Sequence, residues 1–302
     1  MDHEQIDLDW LRDTVARALD EDLGGDPGRD VTSEATVPAD LIGTARLMAR
    51  ADGVVAGLVV VPVVLDEVTR RTGAAPATFE PTVADGARVR AGDRLGVLRG
   101  PVRTLLTAER TALNLVGRAS GVATHTRRWA DALAGTGAQV LDTRKTTPGL
   151  RALDKYAVRC GGGTNKRMGL YDVAMVKDNH VVAAGGVAQA VAAVRAAFPE
   201  VPVQVEADTL EQALEAVDAG ARFLLLDNMA PAVLTGVVAA VRAREPQTGR
   251  VELEATGGLT LDTAAAVAAT GVDYLSVGAL THSSPQLDVA LDLDARETTI
   301  AR

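Results

Sequence analysis

Arg144-Lys145, Lys166-Arg167 and Lys177 set five cations close together in a chain whose formal net charge is −9. Held at one place in a low dielectric, such a group costs several kcal/mol in mutual repulsion unless an anion normally sits among it. Glu206 and Asp227 follow, each at the end of a short apolar run. Two carboxylates beside a cationic cluster suit a divalent metal or the hydroxyls of a sugar. Together the residues imply a phosphorylated sugar with bound Mg²⁺. Thr256-Gly257-Gly258 and Ser276-Val277-Gly278-Ala279 add small residues where backbone N–H groups can approach an anion, and a helix is expected to start near Thr260 with Asp262 in its first turn. The competing explanation for the cations is surface or interface ion pairing, and for Glu206 and Asp227 a place as their buried partners.

The elements that must position these residues follow a rhythm. The runs 139–145, 172–179, 201–208, 223–229, 251–258 and 274–280 are strand-like, and alanine-rich stretches of helical periodicity separate the last five. Strand–helix alternation implies parallel strands with crossover helices. Lys145, Lys177, Glu206, Asp227 and Thr256 all fall at C-terminal strand ends. A closed α/β barrel gathers such ends around one mouth, whereas an open sheet spreads them along an edge. The reading is therefore a TIM-like α/β barrel.

The first third reads differently. The segment LDWLRDTVARALDEDL (8–23) is amphipathic, with Leu8, Leu11, Val15 and Leu19 on one face. Residues 43–60 and 76–100 alternate apolar and polar positions, as antiparallel strands do. The stretch VADGARVRAGDRLGVL has a biotinyl- or lipoyl-carrier pattern but lacks a Met-Lys-Met-like hairpin, so a plain small β-sandwich is expected there. Cys160 reads as a small packed residue rather than a nucleophile, since no histidine is placed to activate it. Lys155 and Arg151 fit a solvated or interface role as well as ligand contact. His180 fits either loop shaping or function, and Met168, Met175 and Met229 read as core or pocket lining.

Composition excludes several classes. An acidic chain is a poor nucleic-acid binder. No apolar run is long enough for a membrane helix, and the N-terminus is acidic where a signal peptide is basic. A single cysteine excludes an internal disulfide framework or thiolate cluster, and the four histidines are too dispersed for a helical metal pair. A cytoplasmic enzyme without nucleic-acid or membrane partners is expected.

The segment DTRKTTPGLRALDKYAVRCGGGTNKRMGLYDVAMVKDNH (142–180) resembles the signature region of quinolinate phosphoribosyltransferases, also called carboxylating nicotinate-nucleotide pyrophosphorylases. The similarity extends to EDLGGDPGRDVTS, ERTALNLVGRASGVAT, VQVEAD, LLLDNM, EATGGL and SVGALTHS, in order along nearly the whole chain. It implies an N-terminal α/β sandwich over residues 1–120, rejoined by a C-terminal tail at 284–302, and an incomplete, about seven-stranded barrel over 121–283. It also implies a pentosyltransferase that joins quinolinate to phosphoribosyl pyrophosphate (PRPP) with Mg²⁺, releasing nicotinate mononucleotide, pyrophosphate and CO₂. A homodimer is implied, with Arg110 crossing into the neighbouring site to meet the quinolinate carboxylates.

By the same resemblance Arg144, Arg167 and Lys177 match dicarboxylate-binding cations, and Lys145 a lysine near the pyrophosphate. Glu206 and Asp227 match the pair that holds ribose hydroxyls and Mg²⁺, while Thr256, Gly257, Gly258 and Gly278 match the 5′-phosphate cradle. Lys145, Lys177, Glu206 and Asp227 thus carry the catalytic roles. Lys166 stands where the family often has histidine, exchanging a group that titrates near neutrality for a permanent cation able to pair with a substrate carboxylate. Thr256 stands for serine and keeps the hydroxyl. No residue is committed to the proton transfer that ends the reaction. The alternatives are a phosphoribosyltransferase for another aromatic acid, or a non-catalytic phosphosugar-binding barrel.

Overall fold

A computed structural model describes residues 6–294 and 299–300. They fall into two compact units, one of residues 6–125, 147–162 and those described from 283 onward, the other of Thr126–Thr146 and Gly163–His282.

In the first unit the helix Leu8–Leu23 is capped by Asp7, whose carboxylate accepts from the Asp9 and Trp10 N–H groups. It buries Leu11, Val15 and Leu19, but Leu8, expected on the same face, is exposed at 46% because it lies in the first turn. The antiparallel strands run in the order Val289–Leu293, Leu41–Ala49, Arg94–Pro101, Thr78–Pro81. The tail thus returns to this sheet, Leu291 facing Leu47. A 31-residue helix, Val102–Ala132, then leads into the second unit.

The segment 147–162, placed within the barrel by the sequence reading, packs instead with the first unit. Its helix Arg151–Cys160 carries Asp154, fully buried, whose two oxygens accept from Arg118 Nε (3.0 Å) and Nη2 (3.1 Å) and from the Thr147 N–H (3.0 Å). Tyr156 donates to Asp85 at 2.6 Å. Lys155 is buried as well, which removes the solvated role considered for it. Burial, with Asp85 nearby, pushes the Cys160 thiol up to about 11. A thiol this weakly acidic supplies almost no thiolate at neutral pH. Ellman's reagent is expected to leave Cys160 of the native protein unlabelled near pH 8 and to react as the pH approaches 11; labelling near pH 8 at the rate of free cysteine would refute this.

The second unit is the parallel layer. Its strands are Gln139–Leu141, Ala174–Val176, Val203–Ala207, Phe223–Asp227, Glu252–Thr256 and Tyr274–Ser276. Pairing runs from Gln139–Leu141 through Tyr274–Ser276, Glu252–Thr256, Phe223–Asp227 and Val203–Ala207 to Ala174–Val176. A single parallel bridge, Leu141 with Thr164, adds a seventh position beside the first strand. Six strands and one bridge make the incomplete barrel, and among the described residues no pairing closes it between Thr164 and Ala174–Val176. Helices Val187–Ala197, Leu210–Asp218, Pro231–Thr248 and Leu261–Ala268 follow their strands. Val205, Leu224, Leu226, Leu253 and Ala255 are buried, as expected where helices cover a parallel sheet. Among the described residues no single helix is long and apolar enough to cross a membrane.

Candidate active site

The strand ends of the second unit open on a cavity of about 580 Å³. Arg144, Lys145, Lys166, Arg167, Lys177, Glu206, Asp227, Thr256 and Gly257 all line it, with Thr143, Met175, Leu225, Asn228, Glu254 and Ser276. The parity of the strands explains the convergence. Glu254 and Thr256, and likewise Leu225 and Asp227, are two residues apart, so each pair shares the inner face of its strand.

Lys177 and Lys166 are matched by acids of the protein. Lys177 Nζ meets Glu206 Oε2 at 2.7 Å, and Lys166 Nζ meets Glu254 Oε1 at 2.6 Å. The first pair lies at the rim, Lys177 being 46% exposed; the second is sealed, at 7% and 0%. The ion-pairing explanation therefore holds for Lys166 and Lys177. Lys166, expected as a permanent cation, has its pKa lowered by burial first, against the pull of Glu254 and with Arg167 and Lys177 pressing the same way as burial. Beneath it the Phe223 and Tyr274 rings stack at 5.7 Å, and Nζ lies 5.9 Å from the Phe223 centroid.

Five cations face three carboxylates, Glu206, Asp227 and Glu254, so the lining keeps a positive surplus. The crowding has a cost. Burial and then Arg144 depress the Arg167 guanidinium, while its Nη1 donates to the Val173 carbonyl at 2.9 Å. Lys145 makes no ion pair among the described residues; its backbone is held by Thr143 and by the Thr281 hydroxyl, which donates to the Lys145 carbonyl at 2.9 Å. On the acidic side burial, then Glu206 and Asp208, push Asp227 up. An anion among the arginines and a cation beside the carboxylates would relieve both strains.

The backbone at the last strands is shaped for close approach. Gly257 has φ +88°, and a Cβ there would lie 2.2 Å from Asn228 Oδ1. Asn228, itself left-handed at φ 53°, donates its N–H to the Thr256 carbonyl (3.0 Å) and its Nδ2 to Asp227 Oδ2 (2.8 Å). It ties the acid to the glycine loop. Gly257→Ala is expected to destabilise the protein by about 1–3 kcal/mol from the backbone alone; an unchanged melting temperature would contradict the role of this turn. A Cβ at Gly278 would lie 3.0 Å from the Lys145 Cδ, so that glycine makes room for the lysine stem.

Not every expected residue lines the cavity. Gly258, at φ +59°, and Gly278 lie beyond its lining. Arg110 belongs to the first unit, exposed on the helix Val102–Ala132, where it borders a separate recess of about 320 Å³ with Asp22, Arg29 and Asp30. His180 shapes the loop, its Nδ1 accepting the Lys177 N–H at the start of the helix Asp178–Ala184, and it does not line the cavity. Sequence reasoning missed Glu254 and Asn228. Inner-face parity, two residues before Thr256, could have found the first. Among the described residues no group of three or more His, Cys, Asp or Glu forms a metal cage.

Comparisons with known proteins agree with this geometry. Residues 30–120 match the quinolinate phosphoribosyl transferase N-terminal domain and residues 122–292 its C-terminal domain. A nicotinate-nucleotide pyrophosphorylase [carboxylating] of Mycobacterium leprae is 51% identical over 95% of this chain and 98% of its own. Quinolinate phosphoribosyltransferase [decarboxylating] 1 of Nicotiana glauca is 39% identical over 94% of this chain and 82% of its own. The structure of the nicotinate-nucleotide pyrophosphorylase from Francisella tularensis superposes with a TM-score of 0.88 at 33% identity, covering 97% of this chain and 99% of that one.

Proposed function

The chain belongs to the quinolinate phosphoribosyltransferase family, and from that premise we propose how its cavity carries out the family reaction. The enzyme moves the phosphoribosyl group of PRPP to quinolinate and releases CO₂, forming nicotinate mononucleotide and pyrophosphate.

Forked guanidiniums hold planar carboxylates better than ammoniums, so Arg144 and Arg167 take the acid and fix its ring nitrogen against ribose C1. Departure of pyrophosphate leaves an oxocarbenium-like C1, and Lys145 offsets charge growing on the leaving group. Lys177 holds Glu206 in place, and Glu206 and Asp227 take the ribose hydroxyls. The Thr256-Gly257-Gly258 turn receives the 5′-phosphate.

The donor set fits Mg²⁺, which is bound through one or two carboxylates plus substrate phosphates. Glu206 and Asp227 would hold it, and a dication would oppose both the burial and the Glu206 repulsion that push Asp227 up. Bound there it would supply charge neutralisation at the pyrophosphate. A cytoplasmic setting belongs to the same proposal, supported by the 51% identical bacterial relative.

The observation that carries the proposal is the single cavity holding three arginine- or lysine-rich strand ends opposite Glu206 and Asp227. Incubation with PRPP, Mg²⁺ and quinolinate should give decarboxylated mononucleotide, with nothing from nicotinate or without acceptor. Product from another acid, or PRPP binding without turnover, would favour the alternatives.

A homodimer that shares its sites is also proposed, supported by Arg110, which is exposed and makes no ion pair among the described residues. Arg110→Ala and Lys177→Ala are each expected to be nearly inactive. Mixed in equal amounts and allowed to exchange, they should recover about a quarter of wild-type activity, since half the dimers then carry one intact site. No recovery would place Arg110 outside the neighbouring site.

A further inference from the structure

Loss of CO₂ leaves an electron pair on ring C2, and a proton must reach it. Few groups in the cavity can supply one. Arginine keeps its proton, ionised carboxylates only accept, and no histidine lines the space. Three ammoniums remain: Lys145, Lys166 and Lys177. Lys177 is 46% exposed and bound to Glu206, on the ribose side. Lys145 packs its stem against Gly278, at the phosphate end. Lys166 alone is shut away from water, at 7% exposure, beside Arg167 and above the Phe223 ring.

We propose that Lys166 delivers the proton that replaces the 2-carboxylate of the ring, and that Glu254, 2.6 Å from its Nζ, is the positioning residue that aims it. The inference rests on quinolinate occupying this cavity. The C2–carboxylate bond breaks, CO₂ departs, and the electron pair stays on C2 next to the cationic ring nitrogen. A C2–H bond then forms with a proton from Lys166 Nζ. The neutral amine that remains takes a proton from solvent once the mononucleotide leaves. No oxidant or further reactant is needed.

The surroundings suit a donor. Burial, Arg167 and Lys177 all make the ammonium a stronger acid, and Glu254 keeps it charged in the resting site. The Lys166 side chain is only 7% exposed and lies over the stacked Phe223 and Tyr274 rings, which shields the ammonium from bulk water. Without a donor the carbanion recaptures CO₂, so net decarboxylation slows although the glycosidic bond has formed.

Single-turnover reactions that follow pyrophosphate and labelled CO₂ in parallel separate the steps. Lys166→Arg keeps a cation beside Glu254 but cannot donate. It should lower CO₂ release relative to pyrophosphate release by about 10²-fold or more, with the undecarboxylated dicarboxylate mononucleotide accumulating by mass. Lys166→His, which can donate, should bring the ratio back toward wild type. Glu254→Gln should shift the ratio in the same direction as Lys166→Arg. A Lys166→Arg variant in which both releases fall together would overturn the donor and leave Lys166 a binding group. If Lys166→Arg, Lys166→His and Glu254→Gln all left both releases at the wild-type rate, with melts showing each folded, Lys166 would not be the donor and the acid would have to be sought at Lys145 or Lys177, whereas loss of all turnover with quinolinate in the wild type would instead defeat the reading of the cavity.

Discussion

Lys145→Ala is expected to lower kcat/KM by about 10²- to 10³-fold, the range observed when one preorganised electrostatic stabiliser is removed. The fold should barely notice, with stability changing by no more than about 0.5 kcal/mol, as for surface positions free of special contacts. Both halves follow from its surroundings. Lys145 is exposed at the cavity, pairs with no acid among the described residues, and is held through its backbone by Thr143 and Thr281. Its charge makes no ion pair among the described residues and acts only at a distance on Asp227, so its main stabilising work is done on a bound anion. If that anion is the leaving pyrophosphate, the loss appears mainly in kcat; if Lys145 only gathers PRPP, it appears in KM. Lys145→Arg, which keeps the charge but changes its shape, should fall between. A loss of less than tenfold in Lys145→Ala would remove this residue from the catalytic set. A large drop in melting temperature would show that its role is structural.

The contrast between Lys145 and Lys166 marks what could be read from sequence. Strand ends were legible because parallel strands are buried on both faces. Their apolar runs therefore stop at the first residue that meets the mouth, as FLLL stops at Asp227 and VQV at Glu206. Charge identity was legible too, and so was the glycine turn after Thr256. Pairing was not. Lys166 and Glu254 are 88 residues apart, and which cation an acid meets is decided by side-chain depth, which a run of letters does not carry. Glu254 was missed because attention fell on strand ends, one layer above it. Asn228 was missed because its left-handed backbone answers to Gly257 on the adjacent strand, not to its own neighbours in sequence. The helix Arg151–Cys160 falls within the span 121–283 assigned to the barrel by resemblance. Its allegiance to the first unit depends on Arg118 and Asp85, which lie 36 and 71 residues away.

Lys166→Met is the substitution expected to cost the fold most. It leaves Glu254, fully buried, without its cation, and breaking one side of a buried pair costs about 3–5 kcal/mol. The pH dependence identifies the cause. Burial already pushes Glu254 up, and Lys166 is the first group opposing it. Without that opposition the folded-state pKa rises further above the value in the unfolded chain. A carboxyl group raised on folding favours the protonated native state, so stability is retained at low pH and lost as pH rises from the ordinary glutamate range toward the raised value. The penalty of Lys166→Met should therefore be greatest near pH 8 and shrink toward about pH 5, as read from urea melts at both. A penalty independent of pH would assign the loss to packing of the lysine stem over Phe223 instead. Adding Glu254→Leu should recover most of the stability, because an apolar pair of similar volume replaces a buried ion pair at little or no cost. The double variant would be folded and decarboxylation-deficient, which separates what the pair does for the fold from what it does in the reaction. A costly buried ion pair where two apolar residues would serve the barrel equally well is expected only if the charge is used.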